Sequence, residues 1–226
     1  TSTGVRSDAK TLCALAEQYE CLSIVDSVTG LAGIELEVDA WRADVTYSGT
    51  QKCLSAPPGI SLITFSDKAA AQVKARNTPV QSWFLDLSLL MAYWEGDGAR
   101  TYHHTAPVNA MYGLHEALLM VQEEGLENSW HRHRAMHEIL VENLNGIGLE
   151  FVVDASYRLP QLNLVKIPDG VDEAAVRKQL LSEFNLEIGA GLGAFAGKVW
   201  RIGLMGYSAR KENIQLCTSA LKHCMS

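Results

Sequence analysis

Two short apolar runs, Asp44 to Tyr47 and Ile60 to Phe65, are split by Tyr47-Ser-Gly-Thr-Gln-Lys-Cys-Leu-Ser-Ala-Pro-Pro-Gly59. No helix or central strand passes through Pro57-Pro58-Gly59, because the prolines lack backbone donors and the glycine reaches conformations closed to other residues. The stretch is therefore a turn between two strands, and it fixes where one lysine, Lys52, must sit. A lysine at an element end among small residues is a candidate nucleophile; a solvated surface charge is the other reading.

Upstream, Cys21-Leu-Ser-Ile-Val-Asp26 has the pattern of a short buried strand ending on an acid. An acid at the carboxyl end of a parallel strand stands where open α/β sheets bind their ligands. Asp26 reads equally as a helix N-cap, since aspartate is a preferred capping residue. The spacing places Asp26 and Lys52 one βαβ-like step apart.

Helical and strand-like patterns alternate along the chain, as in an α/β protein. Ser7-Asp8 caps a helix through Tyr19, with Leu12, Leu15 and Ala16 on one face, and Cys21 to Val25 follows as a strand. Ser66-Asp67 caps another helix, Asp86 to Trp94 and Val108 to Glu124 are helical, and Pro107 suits the entry to the latter. Glu95 to Arg100 and Tyr102 to Thr105 read as a loop. A boundary falls near Gly125, dividing the chain into 1–125 and 126–226. Beyond it, Leu126 to Asn145 is a long amphipathic helix ending at Gly146. Leu149 to Val153, Gln161 to Ile167 and Trp200 to Leu204 are strands, and Val171 to Phe184 and Ser208 to His223 are helices. That half is a small α+β domain.

Composition narrows the function classes. With 226 residues, 47% of them hydrophobic, the chain can bury a sizeable core. A net charge of -7 argues against a nucleic-acid footprint, which needs a basic stripe. No run approaches the about 18 apolar residues of a membrane span. Five cysteines without C-x-x-C spacing read as reduced thiols, and cytoplasm is the default location.

Other residues carry candidate chemistry. Arg201 lies inside the apolar strand Val199-Trp-Arg-Ile-Gly-Leu204 and needs an anionic partner, either a carboxylate ligand or a structural ion pair. His103 and His104 are adjacent, but neighbouring side chains diverge and no third ligand is evident, so no metal site is expected. Gly189-Ala-Gly-Leu-Gly-Ala-Phe-Ala196 contains G-x-G-x-x-A, yet a strand follows where a dinucleotide fingerprint must open a helix. His131, His133 and His137 lack the glutamate of H-E-x-x-H and are expected on a solvated helix face.

Val25-Asp26-Ser27-Val28, Ser48-Gly-Thr-Gln-Lys52 with Ala56-Pro-Pro-Gly59, Tyr102-His-His-Thr105 and Gly197-Lys-Val-Trp-Arg-Ile-Gly203 together closely resemble the alanine:glyoxylate (serine:pyruvate) aminotransferases of class V, fold type I. The resemblance runs from Ser2-Thr-Gly4 nearly to the last helix. It implies pyridoxal phosphate as cofactor, with Lys52 bonding its aldehyde and Asp26 keeping the ring nitrogen protonated. It also implies Val28 beneath the ring, Gln51 toward the phosphate and Ser2 at the phenolic oxygen. Tyr102 and Thr105 would reach the cofactor phosphate of a second subunit, so a homodimer is expected, and Arg201 would clamp the substrate carboxylate. Small donors (alanine, serine) with glyoxylate or pyruvate are implied; related enzymes use ureidoglycine, 3-hydroxykynurenine or aminoethylphosphonate. Family members are longer, so residues 1–125 are expected to be the C-terminal part of a large α/β domain that lacks its Gly-rich phosphate turn and ring-stacking aromatic here. Targeting to a peroxisome or mitochondrion is then not legible from Thr1 onward. A cysteine desulfurase would need a mobile reactive cysteine, and Cys217 and Cys224 lie on the terminal helix. A non-catalytic dimerisation module is the remaining reading.

Overall fold

The computed structural model describes residues 2–94 and 101–225; the loop expected at Glu95 to Arg100 lies outside the described residues. The first sheet has the order β1-β2-β3. β1 (Ile24–Asp26) pairs parallel to β2 (Val45–Gly49), and β3 (Ser61–Phe65) returns antiparallel to β2. Residues 27–44, which join β1 to β2, contain turns and no helix, so the βαβ-like step has no crossover helix. The Ser27 carbonyl accepts from Gly30 and Leu31, and that of Gly30 accepts from Gly33 and Ile34, which folds the stretch into consecutive tight turns.

Caps fix the helix starts. In α1 (Ala9–Gln18) the Asp8 carboxylate accepts the Thr11 N–H, and in α2 (Asp67–Lys74) the Ser66 hydroxyl accepts that of Ala69. On the face of α1 that carries Leu12, Leu15 and Ala16 both leucines are exposed, and the residue turned inward is Cys13. Asp44 ties these elements together. Burial opposes its ionisation, but hydrogen bonds from the Ser23 backbone and the Ser66 hydroxyl, with Lys68 close by, hold its carboxyl below the usual carboxylate range.

After α3 (Leu87–Trp94), α4 (Val108–Glu124) starts behind Pro107 and ends at Gly125, whose φ of 85° turns the chain into α5 (Leu126–Gly146). The second sheet is antiparallel in the order β4-β6-β5, built from β4 (Leu162–Lys166), β5 (Gly189–Ala190) and β6 (Val199–Gly203). Helices α5, α6 (Glu173–Phe184) and α7 (Lys211–Cys224) pack around Trp200, which is fully buried among Leu144, Val165, Leu180 and Leu221. The strand expected at Leu149 to Val153 reduces to a bridge between Phe151 and Val165. The chain leaves the sheet at Asp154, whose carboxylate accepts the Ser156 N–H and starts a 3₁₀ turn. The start of the chain is held on this half. Val5 bridges Arg158, Arg6 N–H donates to the Tyr157 carbonyl, and Leu159 N–H donates to that of Gly4.

The histidines of α5 do not share a solvated face. His133 is fully buried and His137 is half-buried against Phe151, because α5 turns the first toward the Gly206 backbone and the second toward Phe151. Burial pushes both imidazoles below their ordinary value of 6.5. The unfolded chain therefore binds protons near pH 6.5 that the folded chain refuses, so stability is flat above that pH and falls as pH drops below it. The thermal midpoint is expected to decline from pH 6.5 toward 5, less steeply in His133→Gln. A midpoint unchanged over that window would contradict the neutral buried imidazoles.

Candidate active site

Asp26 ends β1, and its Cα partner across the parallel ladder is Tyr47 of β2. Paired residues of a ladder point to the same face, and Tyr47 is in turn opposite Ile63 of β3. This row lies on the exposed face of the sheet, whereas Thr46 and Ser48 point to the buried one. The neighbouring Asp26 carboxylate raises the pKa of the Tyr47 hydroxyl above the usual tyrosine value. The Asp26 Oδ1 also accepts the Val28 N–H at 2.9 Å. Asp26 caps an Asx turn there, and no helix begins at it.

β2 ends at Gly49, and the next turn carries Gln51 and Lys52. Thr50, fully buried, donates its hydroxyl to the Pro57 carbonyl at 2.6 Å. Ala56 N–H donates to the Thr50 carbonyl and Ser55 N–H to that of Lys52, which closes the turn from both ends. The Gln51 side chain folds back over Gly49, where an added Cβ would stand 2.6 Å from its Oε1 and would push that exposed side chain aside. Lys52 is half-buried and shares a depression of about 450 Å³ with Gln51, Ser55, Ala56, Gly203, Met205 and Tyr207. The end of β6 thus meets the lysine turn.

Arg201, two residues before Gly203, is half-buried on β6. Its Nε donates to the Ala190 carbonyl at 2.7 Å, and Gly189 leaves room for the guanidinium to lie across β5. Among the described residues no carboxylate forms an ion pair with it. The fork therefore remains available for an anion.

Tyr102 and Thr105 are exposed, and their hydroxyls hydrogen-bond each other. No hydrogen bond joins them to Asp26, Gln51 or Lys52 among the described residues. His103 between them is buried, stacked on Trp83 with ring centroids 4.1 Å apart. Its Nε2 donates to the Trp83 carbonyl, and its Nδ1 is hydrogen-bonded with His104 Nδ1 at 2.8 Å. His103 thus anchors the loop that presents the two hydroxyls. Ser2, also exposed, lies at the chain start beside the segment held by Tyr157 and Leu159. The G-x-G-x-x-A run contains β5 and a single 3₁₀ turn, Gly193–Phe195, and opens no helix.

The structure thus brings Asp26, Val28 and Tyr47 together and sets Gln51 and Lys52 in the turn that follows β2, while among the described residues no hydrogen bond joins Ser2, Tyr102 or Thr105 to them. Tyr47 was not singled out from the sequence; its place in the period-two alternation opposite Asp26 was the available signal.

Residues 1–216 match the model of the aminotransferase class-V family. The chain belongs to this family. It is 43% identical over 227 residues to an alanine–glyoxylate aminotransferase of Callithrix jacchus, covering 100% of this chain and 55% of that protein. A (S)-ureidoglycine–glyoxylate transaminase of Bacillus subtilis is 38% identical over 240 residues, covering 98% of this chain and 57% of the relative. The solved alanine–glyoxylate aminotransferase from Nostoc sp. superposes with a TM-score of 0.95 at 46% identity, over 100% of this chain and 59% of that one. The α/β architecture of this class-V chain is that of the fold type I transferases, and the chain spans little more than half the length of these relatives.

Neither cysteine of α7 is placed to be a mobile nucleophile. Burial pushes the Cys217 thiol up to about 12, and burial also raises Cys224. In the folded protein an aromatic disulfide reagent at pH 8 is expected to modify exposed Cys21 first and to leave buried Cys53 and Cys217 untouched until denaturant is added. Modification of Cys217 as fast as Cys21 would contradict this burial.

Proposed function

We propose that the protein of which this chain is part transfers the amino group of a small amino acid, alanine or serine, to glyoxylate or pyruvate with pyridoxal phosphate. One observation carries the reading: an acid and a lysine follow each other at the carboxyl ends of adjacent parallel strands, and the lysine turn meets the end of β6, the strand whose Arg201 forms no ion pair among the described residues. The donor set suits that cofactor. Asp26 offers a carboxylate for a protonated ring nitrogen, Lys52 an amine for an aldehyde, and Gln51 an amide for a phosphate. Val28 would lie beneath the ring and Ser2 would serve its phenolic oxygen. Tyr102 and Thr105 serve the phosphate of a second subunit, which makes the active unit a homodimer. The boundary near Gly125 separates the cofactor-binding part, 1–125, from the small domain, 126–226.

Pyridoxal phosphate, when bound, supplies the aldehyde carbon that receives the amino group and the electron sink that makes the substrate Cα–H acidic. The chain's own residues bind, orient and move a proton. Arg201 grips the substrate carboxylate through its planar fork. Lys52 Nζ takes the proton from the substrate Cα as general base and later returns it as general acid. Asp26 would hold the protonated ring nitrogen, and Tyr47 is its cross-strand neighbour on the same face of the sheet. The donor leaves as a keto acid before the acceptor binds, so initial rates should follow ping-pong kinetics. Ureidoglycine is the alternative donor, favoured by the likeness to the Bacillus subtilis transaminase, and glyoxylate is the acceptor common to both readings.

Lys52→Ala in the full-length protein should abolish alanine–glyoxylate turnover while leaving the thermal midpoint within a few degrees; near-normal turnover would refute the assignment. Arg201→Gln should raise the KM for alanine about ten- to a hundredfold, the worth of a charge-assisted hydrogen bond, with a smaller effect on glycolaldehyde, which has no carboxylate. An unchanged KM would remove Arg201 from the substrate site.

A further inference from the structure

We infer that His133 is a positioning residue for Lys52, acting through the peptide of Gly206. This deepens the proposed function, because it rests on Lys52 being the reactive amine. His133 lies fully buried on α5 with both ring nitrogens engaged: Nδ1 meets the Ser129 carbonyl at 2.7 Å, and Nε2 meets the Gly206 N–H at 2.9 Å. A carbonyl only accepts and an N–H only donates, so the proton is on Nδ1 and Nε2 is a bare acceptor. The neighbouring Arg132 holds the other side of the same residue. Its Nη1 donates to the Gly206 carbonyl at 2.8 Å, while its Nε and Nη2 are fixed on the Glu124 carboxylate.

Gly206 thus has its N–H and its C=O clamped from one helix, and it leans on the lysine turn. Its φ is +55°, and an added Cβ would overlap the Ser55 Oγ and stand 2.5 Å from the Cys53 carbonyl. The next N–H, of Tyr207, donates to that Ser55 Oγ at 2.8 Å, and Ser55 N–H donates to the Lys52 carbonyl. The path from His133 to the Lys52 backbone therefore consists of hydrogen bonds and one close backbone contact. Releasing the Gly206 N–H lets the turn drift from the depression in which the amine stands, and a small misplacement of a reacting group costs much of its rate.

The test separates acceptor, donor and packing. Asparagine at 133 retains a donor toward Ser129 but cannot reach Gly206, whereas glutamine sets an amide oxygen near the place of Nε2. The full-length protein and its variants are incubated with pyridoxal phosphate and reduced with borohydride. The label on Lys52 is then followed with time by peptide mass, beside thermal midpoints. In His133→Asn, labelling of Lys52 is expected to slow about tenfold with the midpoint little changed, and in His133→Gln to recover to within about twofold of wild type. Ser55→Ala, at an exposed position on the other end of the path, should slow it severalfold. The inference falls if His133→Asn labels at the wild-type rate, if the asparagine and glutamine variants are equally slow, or if the loss merely follows a fall in the midpoint. If His133→Asn does not fold, Ser55→Ala decides alone, and wild-type labelling by it overturns the inference. Wild-type protein that takes no label at Lys52 refutes the proposed function, and this inference with it, before any variant is compared.

Discussion

The parallel ladder between β1 and β2 is the constraint on which the site depends. Two neighbouring strands that run the same way end at the same edge of their sheet, so Asp26 and the turn after Gly49 are delivered to one place by backbone hydrogen bonds alone. The register makes this specific. A slip of one residue would turn Asp26 to the buried face occupied by Thr46 and Ser48, where the Ser27 and Ser48 hydroxyls are already paired with backbone carbonyls. Asp44, hydrogen-bonded to Ser23 and Ser66, opposes such a slip from the other end of the strands.

The second dependence is on α5. Ser129 donates to the Ala32 carbonyl beside β1, while Arg132 and His133 hold Gly206 after β6. A single helix turn therefore contacts the segments that flank both the acid and the lysine turn. Buried polar groups in such a place must be satisfied on every side, and those of Ser129 and His133 are.

The features that read well from the sequence have strong local causes. Pro107 and Gly125 bracket α4 because one lacks a donor and the other reaches positive φ, and Asp8 and Ser66 cap the helices that they were expected to cap. The place of Asp26 at a strand end and of Lys52 in the turn after β2 was legible because the apolar pattern stops at Asp26 and the Pro57-Pro58-Gly59 break marks the turn. The remainder depended on packing at long range. Leu12 and Leu15 have the spacing of a buried face, yet nothing among the described residues covers them. The histidines of α5 looked solvated because charge and helical period are the same for a surface helix and for one that feeds polar groups into a buried junction. In place of the crossover helix the chain makes consecutive tight turns, with Ala32 at a φ of 65°, a local preference that apolar periodicity does not record.

The clasp between the chain start and Tyr157 to Leu159 bears on the order of folding. Joining residues 5 and 158 closes a loop whose entropy costs about 4.5 kcal/mol at the least, on the logarithmic scaling of loop length. The two backbone hydrogen bonds that flank the bridge contribute about 1 kcal/mol each. Their sum is smaller than the closure term, so the clasp cannot hold the ends together on its own. It forms once the sheets and α5 have already shortened that loop, which makes the chain start a follower in folding rather than part of the nucleus.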